Sequence, residues 1–429
     1  MKKKYRIILY TSIFLLCVVA SIILVVKKSN SVYEEESKPK VVKHKSMLSM
    51  NLEQTAGAGD YKTVTQSKWP TEGYKFNAEL SRCENGSTLS WDDTKKAVIV
   101  SGNLSDKCYV YFDIYQPTLA EYIKSQYTGT QGENNIYYHD SDLANGAGDN
   151  SYRYAGANPN NFVCFGSDTS PCPTDNLYRI IGVFGENYHG VTGKQLVKLI
   201  KYDYMTTDEL GTDGDYSQTY KEWGMDSTYK GTYGDGERIG VYYWNYKATG
   251  SATNTWSTSL LNKTNLNTNF INNIGTTWAN KIATVTWKVG GNTFANISDV
   301  VPATTYQNEI VNPVTTNTTD NATTYSAKIG LMYVSDYGFA ASPDAWTLTM
   351  SSYNNTTATN NNWMYMGLYE WTISRLADYS DIAFRVHCGG GVGSNGVDNN
   401  YGVRASFSLE SSVSYVSGSG SMSDPIVIN

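Results

Sequence analysis

Histidine is nearly missing from this sequence: there are four in 429 residues, His44, His139, His189 and His387. None belongs to an H-E-x-x-H arrangement, which excludes the common zinc-peptidase pattern. Charge is also scarce. Asp, Glu, Lys and Arg make up 17% of the chain, against about 25% in ordinary globular proteins. The formal net charge is -6, and no Lys/Arg-rich block occurs beyond the N-terminal region. Nucleic-acid binding needs a basic footprint, so that class is disfavoured. No G-x-S-x-G follows a strand pattern, and there is no P-loop and no dinucleotide fingerprint placed between strand and helix. Gly389 to Gly396 reads GGGVGSNG, but no helical pattern follows, and Asn and Gly there predict a turn. A Leu-Pro-x-Thr-Gly sorting signal is missing as well, so covalent wall attachment is not expected.

What the chain has is aromatic and amide surface. It carries 35 Tyr and 10 Trp, and aromatics reach 13%. Disordered chains are poor in aromatics, so there is material for a packed core. High Tyr, Asn, Ser and Gly suits adaptable binding surfaces, and it equally suits extracellular β-rich proteins.

Lys2, Lys3, Lys4 and Arg6 precede a mostly apolar, uncharged run from Ile7 to Val26, closed by Lys27 and Lys28. A helix of about twenty such residues crosses the ~30 Å bilayer core. A cleaved secretory signal would be shorter, with small residues before the cut. We therefore expect an uncleaved single-pass signal anchor at residues 7–26. Cations resist translocation, so the N-terminus stays inside and the bulk of the chain lies outside. Residues 29–70 read as a stalk, with a flexible Thr-Ala-Gly-Ala-Gly at 55–59.

Outside the apolar run lie Cys83, Cys108, Cys164, Cys172 and Cys388. Two local disulfides fit, Cys83 with Cys108 and Cys164 with Cys172, although sequence leaves the connectivity open. Cys388 is left over. It reads as a buried thiol first, and as a reactive or intermolecular thiol second.

Residues 71–115 predict a small disulfide-tied β module, with strands at 89–91, 97–100 and 109–112. Residues 116–429 predict a larger domain that begins with a helix over 117–127 and a glycine-rich loop to Asn161. Leu177 to Phe184 and Leu196 to Ile200 are apolar on both faces, as central strands are. Residues 205–240 form an acidic, glycine-rich insertion. Residues 260–274 have helical spacing, and further short strands are expected at 282–289, 329–334, 371–374, 382–387 and 403–409. Strands and helices mix without a β-α repeat, which predicts an α+β fold.

The stretches NNFVCFGSDTSPCPTDNLYRIIGVF, VKLIKYDY, KIGLMYVSDYGFAAS, NNWMYMGLYEWTISR and YGVRASFSLESSVSYVSGSGSMSDPIVIN carry a resemblance. So do SRCENGSTLSWDD and SDKCYVYFD, which are similar to a small disulfide-bonded module. Together they resemble an uncharacterised family of surface proteins of Gram-positive-type gut bacteria. The closing segment resembles a domain of unknown function that is C-type-lectin-like, in the manner of the formylglycine-generating enzyme. That enzyme uses paired cysteines for copper-dependent oxidation. Here Cys388 stands alone in the C-terminal region, so the activity is not implied. Relatives show Gly-Val-Arg-Pro where this chain has Gly402-Val403-Arg404-Ala405, and Arg404 is expected to form a structural salt bridge or a carbonyl contact.

Several chemistries remain. Neighbouring strand residues point to opposite faces, so His387 and Cys388 are expected to make a poor nucleophilic pair. Asp203, Asp208, Glu209, Asp213, Asp215, Asp235 and Glu237 lie in or beside the acidic insertion. They read as solvated loop charge, then as a weak Ca²⁺ site, then as the carboxylates of a hydrolase. No other cofactor is implied, and metal binding stays open. The preferred site is aromatic. Trp363, Tyr365, Tyr369, Trp371, Tyr379 and Tyr401 cluster in sequence with Asn360 to Asn362, Asn395 and Asp398 to Asn400. Aromatic faces beside amides suit recognition of a glycan or a protein. Trp371 is expected in the core. Tyr365, Tyr379 and Tyr401, with Asn395, Asp398 and Asn399, are the expected ligand contacts. The function read from this is non-catalytic binding of an external ligand by a membrane-anchored surface protein. An extracellular hydrolase and a structural envelope component are the alternatives.

Overall fold

A computed structural model describes residues 48–65, 68–70, 73–103, 105–224, 228–313, 322–354 and 356–429. The apolar span at 7–26 lies outside the described residues. Among those residues, no helix is long and apolar enough to cross a membrane. The chain divides into two compact units between Gln116 and Pro117.

In the first unit, β1 (Leu48–Glu53), β2 (Tyr61–Val64), β3 (Tyr74–Cys83) and β6 (Cys108–Ile114) form one sheet in the order β2-β1-β6-β3. β4 (Thr88–Asp92) and β5 (Ala97–Ser101) form a separate hairpin. The stalk expectation is corrected here. Residues 48–64 are two strands, and β1 runs parallel to β6 in register from Leu48 opposite Cys108 to Leu52 opposite Phe112. The run at 55–59 is the tip of their hairpin, where Gly57 and Gly59 take φ of 71° and 70°. Charged residues upstream masked a strand whose apolar partners come from 60 residues later. Met50, Leu52, Val110 and Phe112 are buried, and Trp69, Phe76 and Trp91 set their rings against Phe112. Cys83 stands opposite Cys108 on β3 and β6, and the two are bonded. For a sequence separation of 25, this cross-link stabilises by about 3 kcal/mol.

The second unit is mixed α+β. Its centre is a seven-stranded antiparallel sheet. β10 (Leu177–Phe184) and β11 (Leu196–Lys201) pair in the middle, and every residue of both is buried. Leucine, isoleucine and valine on both faces account for that burial. Strands 329–330 and 406–408 extend one side of the sheet. β7 (Ile136–His139) and β8 (Ser151–Tyr154) extend the other. β7 and β8 lie within the stretch expected to be loop: their polar turn, 140–150, concealed two tyrosine-rich strands of four residues each that pair as a hairpin. β9 (Phe162–Cys164) also pairs with β10, and Cys164 is bonded to Cys172.

Four cations on these strands are buried, each with a partner. Arg153 pairs with Asp149, Lys198 with Asp336 and Lys201 with Glu209. Arg179 donates to Asn161 Oδ1 and to the Pro159 carbonyl. The helix expected at 260–274 forms, but as a wide π-helical turn over Leu261–Phe270 followed by Ile271–Ala279. Its amides hold the acidic insertion. Asn265 and Asn269 both donate to the Leu210 carbonyl, and Asn265 Oδ1 accepts from Asp215 N at 3.0 Å. Gly214 (φ 62°) passes so close that a Cβ there would lie 2.5 Å from Asn265 Oδ1.

His139 carries a pH dependence. It is fully buried against Phe339 and Trp346, its Nδ1 accepts from Ala147 N at 3.0 Å, and its Nε2 has no partner among the described residues. Burial, and next the Arg153 cation, hold its pKa well below the usual 6.5, with Asp149 opposing. The unfolded chain therefore binds more protons below about pH 6.5. This group's contribution is complete above that pH and is lost as pH falls, by up to about 1.4 kcal/mol per unit. Urea titrations between about pH 7 and 5 should show a steeper loss for the native chain than for His139→Gln. Equal slopes would refute the assignment.

Candidate functional site

Strands Glu370–Leu376, Ile382–Val386 and Val392–Gly396 form an antiparallel meander. Trp371 stands opposite Arg385, and Arg385 opposite Gly393. The second half of the GGGVGSNG stretch is thus a strand, and only 387–391 turns. Tyr401 comes from a two-residue strand that pairs with Tyr242. Its ring stacks on Tyr369 at 5.1 Å and 17° and tilts against Trp371 at 4.6 Å. The Arg385 guanidinium lies 4.8 Å from the Tyr369 ring centre and 5.6 Å from that of Tyr401. Trp223 sets its edge to both tyrosines and to Tyr220. Trp223 belongs to the short helix Tyr220–Trp223, whose start is fixed by a capping box between Thr219 and Glu222. The acidic insertion therefore supplies an aromatic wall. Trp223 is 36% exposed, and Tyr369, Arg385 and His387 are half-buried.

At one end of this cluster, His387 Nδ1 accepts from Gly389 N at 2.9 Å, and its Nε2 lies 2.7 Å from the Tyr369 hydroxyl. With Nδ1 accepting, Nε2 carries the hydrogen and donates to Tyr369. Burial above all holds the Tyr369 phenol above its ordinary pKa. The Cys388 thiol lies 3.4 Å from His387 Nδ1. This corrects the expectation of a divergent pair, because the strand ends at Val386 and the alternation ends with it.

The six expected ligand contacts do not form one site. Tyr401 is only 4% exposed and Tyr365 6%, so both are packing residues and not the exposed rings expected. Tyr365 donates to the Cys388 carbonyl beneath Lys230. Tyr379 is 58% exposed, but it sits in the 377–381 turn, at the opposite end of the hairpin from Tyr369 and His387. Asn395 donates to the Tyr401 hydroxyl at 2.5 Å and accepts from Gly396 N, and Asn399 donates to Asn395 Oδ1 and to the Gly396 carbonyl. These amides hold the turn and the Tyr401 ring. Asp398 is exposed on the same turn. Trp371 is fully buried, as expected. Trp223 and Arg385 were missed. The Tyr-x-x-Trp spacing at 220 and 223 was the available signal, hidden in a segment read as loop.

The carboxylates separate by environment. Asp203 is buried and accepts from Tyr204 N, Tyr229 and Thr232. Asp215 is buried and accepts from Leu261 N and Tyr246 N, and burial raises its pKa. Glu209 serves Lys201 and a helix cap. These three hold the fold, where solvated charge was expected. Asp208, Asp213, Asp235 and Glu237 are exposed. Among the described residues, no three His, Cys, Asp or Glu side chains group as a metal site.

No protein-family model matches the chain, and no curated protein or solved structure is significantly similar to it.

Proposed function

We propose that this chain is a membrane-anchored bacterial cell-surface protein whose second unit binds an extracellular glycan or protein without catalysis. The observation that carries the reading is the pair of accessible rings Trp223 and Tyr369, backed by the buried Tyr401 and with Arg385 lying over Tyr369, built on a hydrogen-bonded meander. Such a surface offers apolar ring area, a cation and a rigid base together, as recognition sites do. The two disulfides support an oxidising compartment and so export. The apolar run at 7–26 supports the anchor. A C-type-lectin-like architecture for the second unit, and membership of the surface-protein family, belong to the same proposal and rest on the sequence resemblance.

The test is a glycan array and a surface-protein pull-down with the full chain. Trp223→Ala should weaken binding by about tenfold or more, because an exposed aromatic anchor contributes about 1–2 kcal/mol. Tyr379→Ala, at the far end of the hairpin, should leave it unchanged. The reading fails if Trp223→Ala binds like the native chain.

A further inference from the structure

A second concave feature of the 117–429 unit shares no residue with the aromatic stack. A cavity of about 620 Å³ opens between the Gly148 segment, the short helix Glu186–His189, the end of strand Val285–Lys288 and the helical segments Pro302–Tyr306 and Gln307–Val311. Small-molecule sites occupy roughly 300–1,000 Å³.

Its lining differs from the aromatic site in one decisive respect. Asn395 and Asn399 have their hydrogen bonds taken by the protein. In the cavity, the side chains of Asn187, Thr192, Lys288 and Gln307 make no hydrogen bond or ion pair with any described residue. Glu186 accepts from Gly193 N through one oxygen only. Polar groups from several separate segments thus converge on one space with their capacity uncommitted.

Their chemistry narrows the ligand. Formal charge cancels locally: Glu186 against Lys288, and Asp149 against its partner Arg153. That offers no preference for an anion or a cation. Amides and a threonine hydroxyl both donate and accept, an ammonium donates and a carboxylate accepts, which is the mixed requirement of clustered hydroxyl groups. Tyr306 is 1% exposed, so its face is closed to a flat base, whereas Val311 gives a small apolar wall. We infer that this cavity binds a neutral, polyhydroxylated ligand of one or two sugar rings. The inference goes beyond the aromatic site and does not depend on it.

Calorimetric titration of the purified full chain with maltose, lactose, cellobiose and N,N′-diacetylchitobiose tests it, with glycine and inorganic phosphate as charged controls. At least one disaccharide should bind. Its affinity should fall by about tenfold or more in Asn187→Leu and in Gln307→Leu, each of which removes hydrogen bonds to the ligand. Both side chains are exposed, so the melting temperatures of these variants should stay native. Trp223→Ala should leave this binding intact. The inference is overturned if no disaccharide binds, if both cavity variants bind like the native chain, or if phosphate or glycine binds in preference. Loss in Trp223→Ala alone would move the sugar to the aromatic stack and overturn it equally.

Discussion

Arg404→Ala should lower the unfolding free energy of the 117–429 unit by about 3–5 kcal/mol, the usual consequence of leaving one member of a buried ion pair alone. Arg404 and Glu370 are 1% and 3% exposed at their side chains. The guanidinium grips the carboxylate through two bonds, Nε to Oε1 at 2.8 Å and Nη2 to Oε2 at 2.9 Å, and Nη2 also donates to the Met364 carbonyl at 2.6 Å. The salt bridge and carbonyl contact expected for this residue are both present. Burial pushes the Glu370 carboxyl up, and Arg404 opposes that push. Without Arg404 the carboxylate is desolvated with nothing to offset it. Arg404→Lys keeps the charge and loses the fork, so an intermediate loss is expected. Arg404→Met with Glu370→Leu should be less damaging than either change alone. Urea denaturation followed by tryptophan fluorescence measures all of these. A loss below about 1 kcal/mol in Arg404→Ala would contradict the account.

Asp336→Ala should cost a similar ~3–5 kcal/mol for the mirror-image reason. Lys198 Nζ donates to Asp336 Oδ2 at 2.6 Å and to the Tyr188 hydroxyl at 2.8 Å, and Tyr188 donates to Asp336 Oδ1. Asp336 also accepts from Tyr333 N, which caps the helix it belongs to. The ammonium is surrounded by the rings of Tyr188, Trp287 and Tyr333. Burial lowers the Lys198 pKa, Asp336 works against that, and nearby Arg153 and Glu309 lower and raise it further. Removing Asp336 strands the cation. In that variant the folded chain binds fewer protons at this lysine than the unfolded chain does. Stability should therefore recover as pH rises toward about 10.4, the ordinary lysine value. Lys198→Met in the Asp336→Ala background should restore much of the loss at neutral pH. No recovery with either pH or the second substitution would show that the penalty comes from packing and not from the isolated charge.

Local chemistry was enough for a good part of this protein. The double-faced apolar runs at 177–184 and 196–200 read as buried central strands, and both lie at the centre of the sheet. The strands expected at 89–91 and 97–100 form and pair with each other as a hairpin. Both disulfides pair cysteines close in sequence. A mixture of strand and helix patterns without a repeat pointed to α+β. The strand and disulfide readings each depend on a short stretch of chain, the longest being the 25 residues that separate Cys83 from Cys108.

Partners far along the chain decided the rest. β1 is a strand because β6 accepts it as a neighbour, and nothing near residue 48 announces that. Tyr365, Tyr379 and Tyr401 have the same side chain and similar local surroundings, yet two are packed away and one projects into solvent. Asp203 and Asp215 look like their exposed neighbours until the backbone amides and hydroxyls that meet them are known. The aromatic stack proposed for recognition and the cavity are assembled from segments more than a hundred residues apart, Trp223 with Tyr401 and Asn187 with Gln307. Periodicity reports which face of an element is apolar, but burial and convergence are set by which other elements close over it.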